Sequence, residues 1–247
     1  MGWTMCERAK LGQQLLSVFD RIYVINLEDR PDRRADMACQ LARLGLSFDH
    51  PAVRLFSASR PSQSGEFPTR GTRGCFESHM TVLRDFIESG AERCLILEDD
   101  ADLTDRFEAF LPDTVKALKT RPWDLFFAYP PEGFSPTRSH FAQLPPDRAT
   151  LCLHCYGITH EAAALALPYL RDIYLRPAGH PEGGAMHVDG AYNWFRRQHS
   201  ELVTLVSMRS LAHQRASRSD IHPLAWYDRW PIVKDAVASL RRFKPVG

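Results

Sequence analysis

Two short apolar runs constrain the fold most. Ile22-Tyr23-Val24-Ile25 and Cys94-Leu95-Ile96-Leu97 are built from β-branched and bulky residues, and each stops abruptly at polar residues. Runs this short and continuous predict strands buried on both faces. Each is joined to a helical pattern. Pro31 suits a first helical turn, Met37, Leu41 and Leu44 give an apolar stripe, and Gly45 ends it. Before the second run, Phe76, Met80, Leu83, Phe86 and Ile87 fall on one helical face, and Gly90 closes that helix. Further strands are expected over 124–129, 151–158 and 202–206, with helices over 161–174 and 189–197. Residues 57–74, 130–146 and 176–187 are rich in Gly, Pro and polar residues and predict three long loops. Strands alternating with helices imply an α/β fold, with a mainly parallel central sheet flanked by helices. A single domain is expected over 20–222, preceded by an N-terminal extension (1–19) and followed by a basic helical segment (223–247).

Composition narrows the function. The 247 residues carry a net charge of +1, which excludes a broadly basic nucleic-acid binder. Cys6, Cys39, Cys75, Cys94, Cys152 and Cys155 form no repeated pairs, which suits reduced thiols in a cytoplasmic protein rather than a disulfide framework. Cys152-Leu153-His154-Cys155 lacks the second pair that a closed zinc site needs, so it is expected to be structural. The first residues contain no continuous apolar core, so no signal peptide is expected, and no stretch is long enough to span a bilayer.

The chemistry concentrates at Glu98-Asp99-Asp100-Ala101-Asp102, directly after the second apolar run. Ligands of open α/β sheets bind beyond the carboxyl ends of the strands. Four carboxylates this close repel one another unless a cation is near, and a hard divalent ion is the natural partner. Asp100 and Asp102 form one chelating pair, and Glu98 and Asp100 a second. A solvated acidic loop is the competing account. No GxxxxGK[ST] loop is present, which excludes the nucleoside triphosphatase reading of such an acid.

Three blocks together resemble glycosyltransferase family 25, the family of lipopolysaccharide-type and procollagen galactosyltransferases. Ile22 to Leu27 followed by Arg30, Asp32 and Arg33 is similar to its opening motif. Gly74-Cys75-Phe76-Glu77-Ser78-His79, with Leu83-Arg84, is similar to its second block, and Cys94 to Leu103 to its Leu-Glu-Asp-Asp signature. Weaker similarities follow at Tyr156-Gly157-Ile158, at Val188-Asp189, and at Gln214 with Ser217, Ser219, Asp220 and Ile221.

The resemblance implies a GT-A-like fold, a UDP-sugar donor (most often UDP-galactose), and Mn2+ or Mg2+. It also implies inverting transfer to a hydroxyl of a saccharide or glycoconjugate acceptor. Asp100 and Asp102 would hold the metal, with His213 or His187 completing its shell; His213 is taken here. Asp189 is the candidate base on the acceptor side, with a helix cap as its competing role. Asn26, Arg30 and Arg33 would meet the nucleotide, although both arginines could equally pair with Asp29 and Asp32. Ser78 and His79 would contact the donor or orient a carboxylate; a buried, hydrogen-bonded His79 is the alternative. Glu98 and Asp99 would face the ribose or support the turn.

The cluster Trp226, Tyr227 and Trp230 with the basic tail (Lys234, Arg241, Arg242, Lys244) would either pack on the domain or meet the inner face of an anionic membrane. Two other functions compete. One is a non-catalytic nucleotide-sugar or carbohydrate binder with the same fold. The other is a sugar-1-phosphate nucleotidyltransferase, which would want a glycine-rich loop where 26–34 has no glycine.

Overall fold

A computed structural model describes residues 4–131 and 139–215 of the chain. The expected closing block at 217–221 and the basic helical segment at 223–247 lie outside the described residues. The two apolar runs are indeed central strands, β1 (Arg21–Asn26) and β3 (Arg93–Glu98). They share a seven-stranded sheet with β2 (Val53–Ser57), β5 (Leu125–Phe127), β6 (Phe141–Gln143), β7 (Cys155–Thr159) and β8 (Thr204–Ser207). The order is β2-β1-β3-β7-β5-β8-β6. β1 pairs in parallel with both β2 and β3, and β5 with β8, whereas β7 and β6 run against their neighbours. Most strands therefore point one way, as the alternation of strands and helices required. A separate ribbon joins β4 (Ala101–Leu103) to β9 (Ala212–Gln214).

Helices cover both faces. On one face α1 (Met5–Leu16), α2 (Pro31–Arg43) and α4 (Phe107–Thr120) bring Leu15, Met37, Leu41 and Leu111 against Ile22, Leu95, Leu97 and Phe126. On the other, α3 (Arg70–Glu88), α5 (His160–Leu175) and α6 (Val188–Gln198) pack on one another. There Tyr23 of β1 donates to Asp85 of α3 at 2.7 Å. No helix among the described residues is long and apolar enough to cross a membrane.

Several elements differ from expectation. The segment before residue 20 contributes core: α1 buries Leu11 and Leu15, and a capping box between Thr4 and Glu7 starts it. The first long loop is shorter than expected, because Thr69 accepts from the Thr72 N–H at 3.0 Å and starts α3 at Arg70. The strand expected from 151 begins only at Cys155. Cys152 takes φ 67°, a left-handed conformation that no strand can include.

One face of α6 fixes this departure. Arg196 donates to the Arg148 carbonyl at 2.8 Å and Asn193 to the Thr150 carbonyl at 2.7 Å, while Asp189 accepts from the Cys152 N–H at 2.9 Å. Side chains at this spacing line up on a helix, so they grip one extended segment.

Candidate active site

A cavity of about 340 Å3 opens beyond the carboxyl ends of β1 and β3. Its floor is apolar (Ile25, Leu27, Ala58, Pro61), and its walls carry Arg33, Arg60, Arg70, Ser78, His79, Glu98, Asp99 and Asp100. The first turn of α3 closes one side. The segment 58–61 can lie against α3 because Gly74 has no side chain: a Cβ there would stand 2.5 Å from the Ser59 carbonyl oxygen. Ser78 completes this clamp, accepting from the Ser59 N–H at 2.8 Å and donating to the Gly74 carbonyl at 2.6 Å. Ser78, expected to contact the donor, instead spends its hydroxyl holding the wall. Gly74→Ala should push residues 58–61 outward and lower the melting temperature, by the roughly 1–3 kcal/mol that forcing extra atoms into a packed site costs. An unchanged melting temperature would show that residues 58–61 do not rest on Gly74.

The acidic run is a strand end, a two-residue turn and a second strand, rather than a loop. The first motif holds that turn. Asn26 donates to Asp99 at 2.8 Å and Arg33 donates to Asp99 at 2.6 Å, with Arg33 3.6 Å from Asp100. Asn26, Arg33, Asp99 and Asp100 are all buried. Asn26 and Arg33 therefore support the carboxylates, and Arg33 also lines the cavity. Arg30 pairs with Asp32 at 2.8 Å, the ordinary ion pair anticipated as its alternative, and is not part of the cavity wall.

Glu98 faces His79 and Cys75, with its Oε1 3.1 Å from His79 Nε2 and 3.6 Å from Cys75 Sγ. Burial disfavours its charge, but the His79 hydrogen bond and charge outweigh burial and hold Glu98 below its ordinary value. Asp100 is the opposite case. Burial first, then the charge of Glu98, push its carboxyl up to about 7. Its Oδ2 accepts from Gln214 at 3.3 Å, while its buried Oδ1 has no hydrogen-bond partner.

Among the described residues, Asp100, Asp102 and His213 do not form a cluster with all ligand atoms within 4.8 Å of one another. β4 starts at Ala101, so Asp102 follows strand alternation between the buried Ala101 and Leu103, while Asp100 stays in the turn. Asp102 accepts from Arg215 Nε at 3.0 Å and Gln40 at 3.1 Å, away from the cavity wall. His213 is its cross-strand partner, largely exposed, with Nε2 4.0 Å from Asp102. His187 is the N-cap residue of α6. Asp189 sits in the first turn of α6, where its two oxygens accept the N–H groups of Cys152 and Gly190 at 2.9 and 2.8 Å. It is not among the cavity residues. The expected acceptor-side base is thus a backbone tether in this structure.

The family model described as glycosyltransferase family 25 (LPS biosynthesis protein) matches residues 19–130. Over residues 19–130 the chain is similar to glycosyltransferase family 25. The inactive glycosyltransferase 25 family member 3 of Mus musculus is 29% identical over 129 residues, covering 44% of this chain and 22% of that protein. The procollagen galactosyltransferase 1-B of Xenopus laevis is 28% identical over 131 residues, covering 44% of this chain and 21% of its own length. This chain therefore matches about a fifth of the length of these relatives. Among solved structures, a glycosyltransferase involved in glycosylation of the major capsid of PBCV-1 is 11% identical with a TM-score of 0.39, covering 89% of this chain and 98% of that one. The segment that matches the family model carries every residue of the cavity wall. Arg60 and Arg70 precede the second block and carry no motif of their own, and Cys75 is a member of that block without an assigned role.

Proposed function

We propose that the chain moves a hexose, galactose by family resemblance, from a UDP-sugar to a hydroxyl of a saccharide or glycoconjugate, with inversion and with Mn2+ or Mg2+. One observation carries this reading: Arg33, Arg60 and Arg70 line the same cavity as Asp100, whose buried Oδ1 has no hydrogen-bond partner. A diphosphate bridged to a divalent cation is the charge-matched guest. Asp100 fits the cation, since a buried carboxylate oxygen without a donor is costly until a positive charge meets it. Asp102, expected beside it, supports the turn through Arg215 instead. Such an ion supplies neutralisation of the departing diphosphate. Arg60, Arg70 and the N–H groups of Arg70 and Gly71 at the start of α3 would bind the phosphates, and Ile25, Leu27 and Pro61 would keep water from the donor. Asp189 acts by fixing Cys152.

A second reading, a non-catalytic nucleotide-sugar binder, draws support from the relative named inactive. Incubation with UDP-galactose, Mn2+ and a panel of saccharide acceptors separates the two. UDP release that disappears in Asp100→Ala and with chelator supports transfer. Binding without release across the panel favours the second reading. Absence of UDP-galactose binding would sink both.

A further inference from the structure

We propose that Cys75, His79 and Glu98 form a binding site for a zinc-class divalent ion in the wall of the cavity, a site separate from the oxygen-ligand position at Asp100. Cys75 and His79 are four residues apart on α3 and so share one helical face. Glu98, the last residue of β3, stands opposite. The three ligand atoms all lie within 4.8 Å of one another. Glu98 Oε1 is 3.1 Å from His79 Nε2 and 3.6 Å from Cys75 Sγ. An ion bound tetrahedrally at about 2.0–2.3 Å sets its ligands roughly 3.3–3.6 Å apart, which the two Glu98 distances already approach, and the Cys75 to His79 distance, within 4.8 Å, closes by rotation of the Cys75 side chain.

The second layer is also built. His79 Nδ1 lies 3.0 Å from the Tyr156 hydroxyl, which lies 3.2 Å from the Tyr192 hydroxyl, all three side chains buried. With its proton on Nδ1, donated to Tyr156, His79 presents the Nε2 lone pair to an ion. As the metal bonds form, His79 gives up the Nε2 proton that it shares with Glu98 and Cys75 gives up its thiol proton, both to solvent. Thiolate and carboxylate then balance the two positive charges. Sulfur and imidazole ligands select zinc over manganese and magnesium, which prefer oxygen. All three side chains border the cavity, so the fourth position faces it, open to water or a substrate oxygen.

The test uses the full chain stripped with chelator, without donor or acceptor, so it stands or falls apart from sugar transfer. Cobalt(II) is the probe. One equivalent should give tetrahedral visible bands and a near-ultraviolet thiolate-to-cobalt band, both displaced by Zn2+. Cys75→Ser should lose the thiolate band, His79→Gln should weaken binding at least tenfold, and Cys152→Ser should change neither. Circular dichroism checks the fold of each variant. Should Cys75→Ser not fold, X-ray absorption of the zinc-loaded wild-type chain decides: one sulfur at about 2.3 Å is expected. A thiolate band that survives Cys75→Ser, or a zinc shell without sulfur, overturns the site.

Discussion

Asp100→Asn is expected to abolish UDP release while making the folded protein harder to unfold at neutral pH. The Asp100 carboxyl is pushed up to about 7 by burial and by Glu98, against an ordinary 3.8. The unfolded chain releases this proton near pH 4, whereas the folded chain keeps it until about pH 7. Between these values the folded state binds more protons, so stability falls as pH rises through that window and then levels off. Asparagine does not ionise, and its oxygen can still accept from Gln214. Its advantage should therefore grow from pH 4 to pH 7 and reach a few kcal/mol, on the order of 4, by pH 8. Urea unfolding of both proteins in chelator at pH 5 and pH 8 measures it. Equal stability differences at the two pH values would refute the burial account of Asp100.

Arg33→Met should have the largest cost to folding. Arg33 is the cation at 2.6 Å from Asp99 and 3.6 Å from Asp100. Removing one partner of a buried pair leaves the other charge uncompensated, which costs about 3–5 kcal/mol. The melting temperature should drop accordingly. Adding Asp99→Asn to Arg33→Met should restore at least half of the loss, because the stranded charge is then gone and Asn26 can still be bonded. A double variant no better than the single one would mean that Arg33 stabilises by packing its stem, not by pairing.

The central strands and most helices were legible because their signal is local. Ile22 to Ile25 and Cys94 to Leu97 are apolar without interruption, and the stripes of α2 and α3 repeat at helical spacing. Two helices were legible but passed over. Thr4 and Glu7 mark the start of α1, and Phe107, Leu111, Val115 and Leu118 mark the buried side of α4. The three-residue strands β4, β6 and β9 carry too few residues for any period, and their pairing partners lie far along the chain. The acidic run was readable as a place but not as an arrangement. Which carboxylate faces the cavity depends on where β4 begins, and that depends on β9. Asp189 misled for a related reason: its partner, the Cys152 N–H, exists only because Cys152 leaves the extended conformation.

The β4–β9 ribbon also sets an order of assembly. Gln214 reaches Asp100 across 114 residues of chain, and Arg215 reaches Asp102 across 113. Closing so long a loop costs entropy before its contacts repay it. The sheet around β1, β2 and β3 can pair through connections far shorter than that. The acidic corner is therefore among the last parts to be fixed in refolding, and a chain cut before residue 212 would present Asp100 and Asp102 without the strand that orders them.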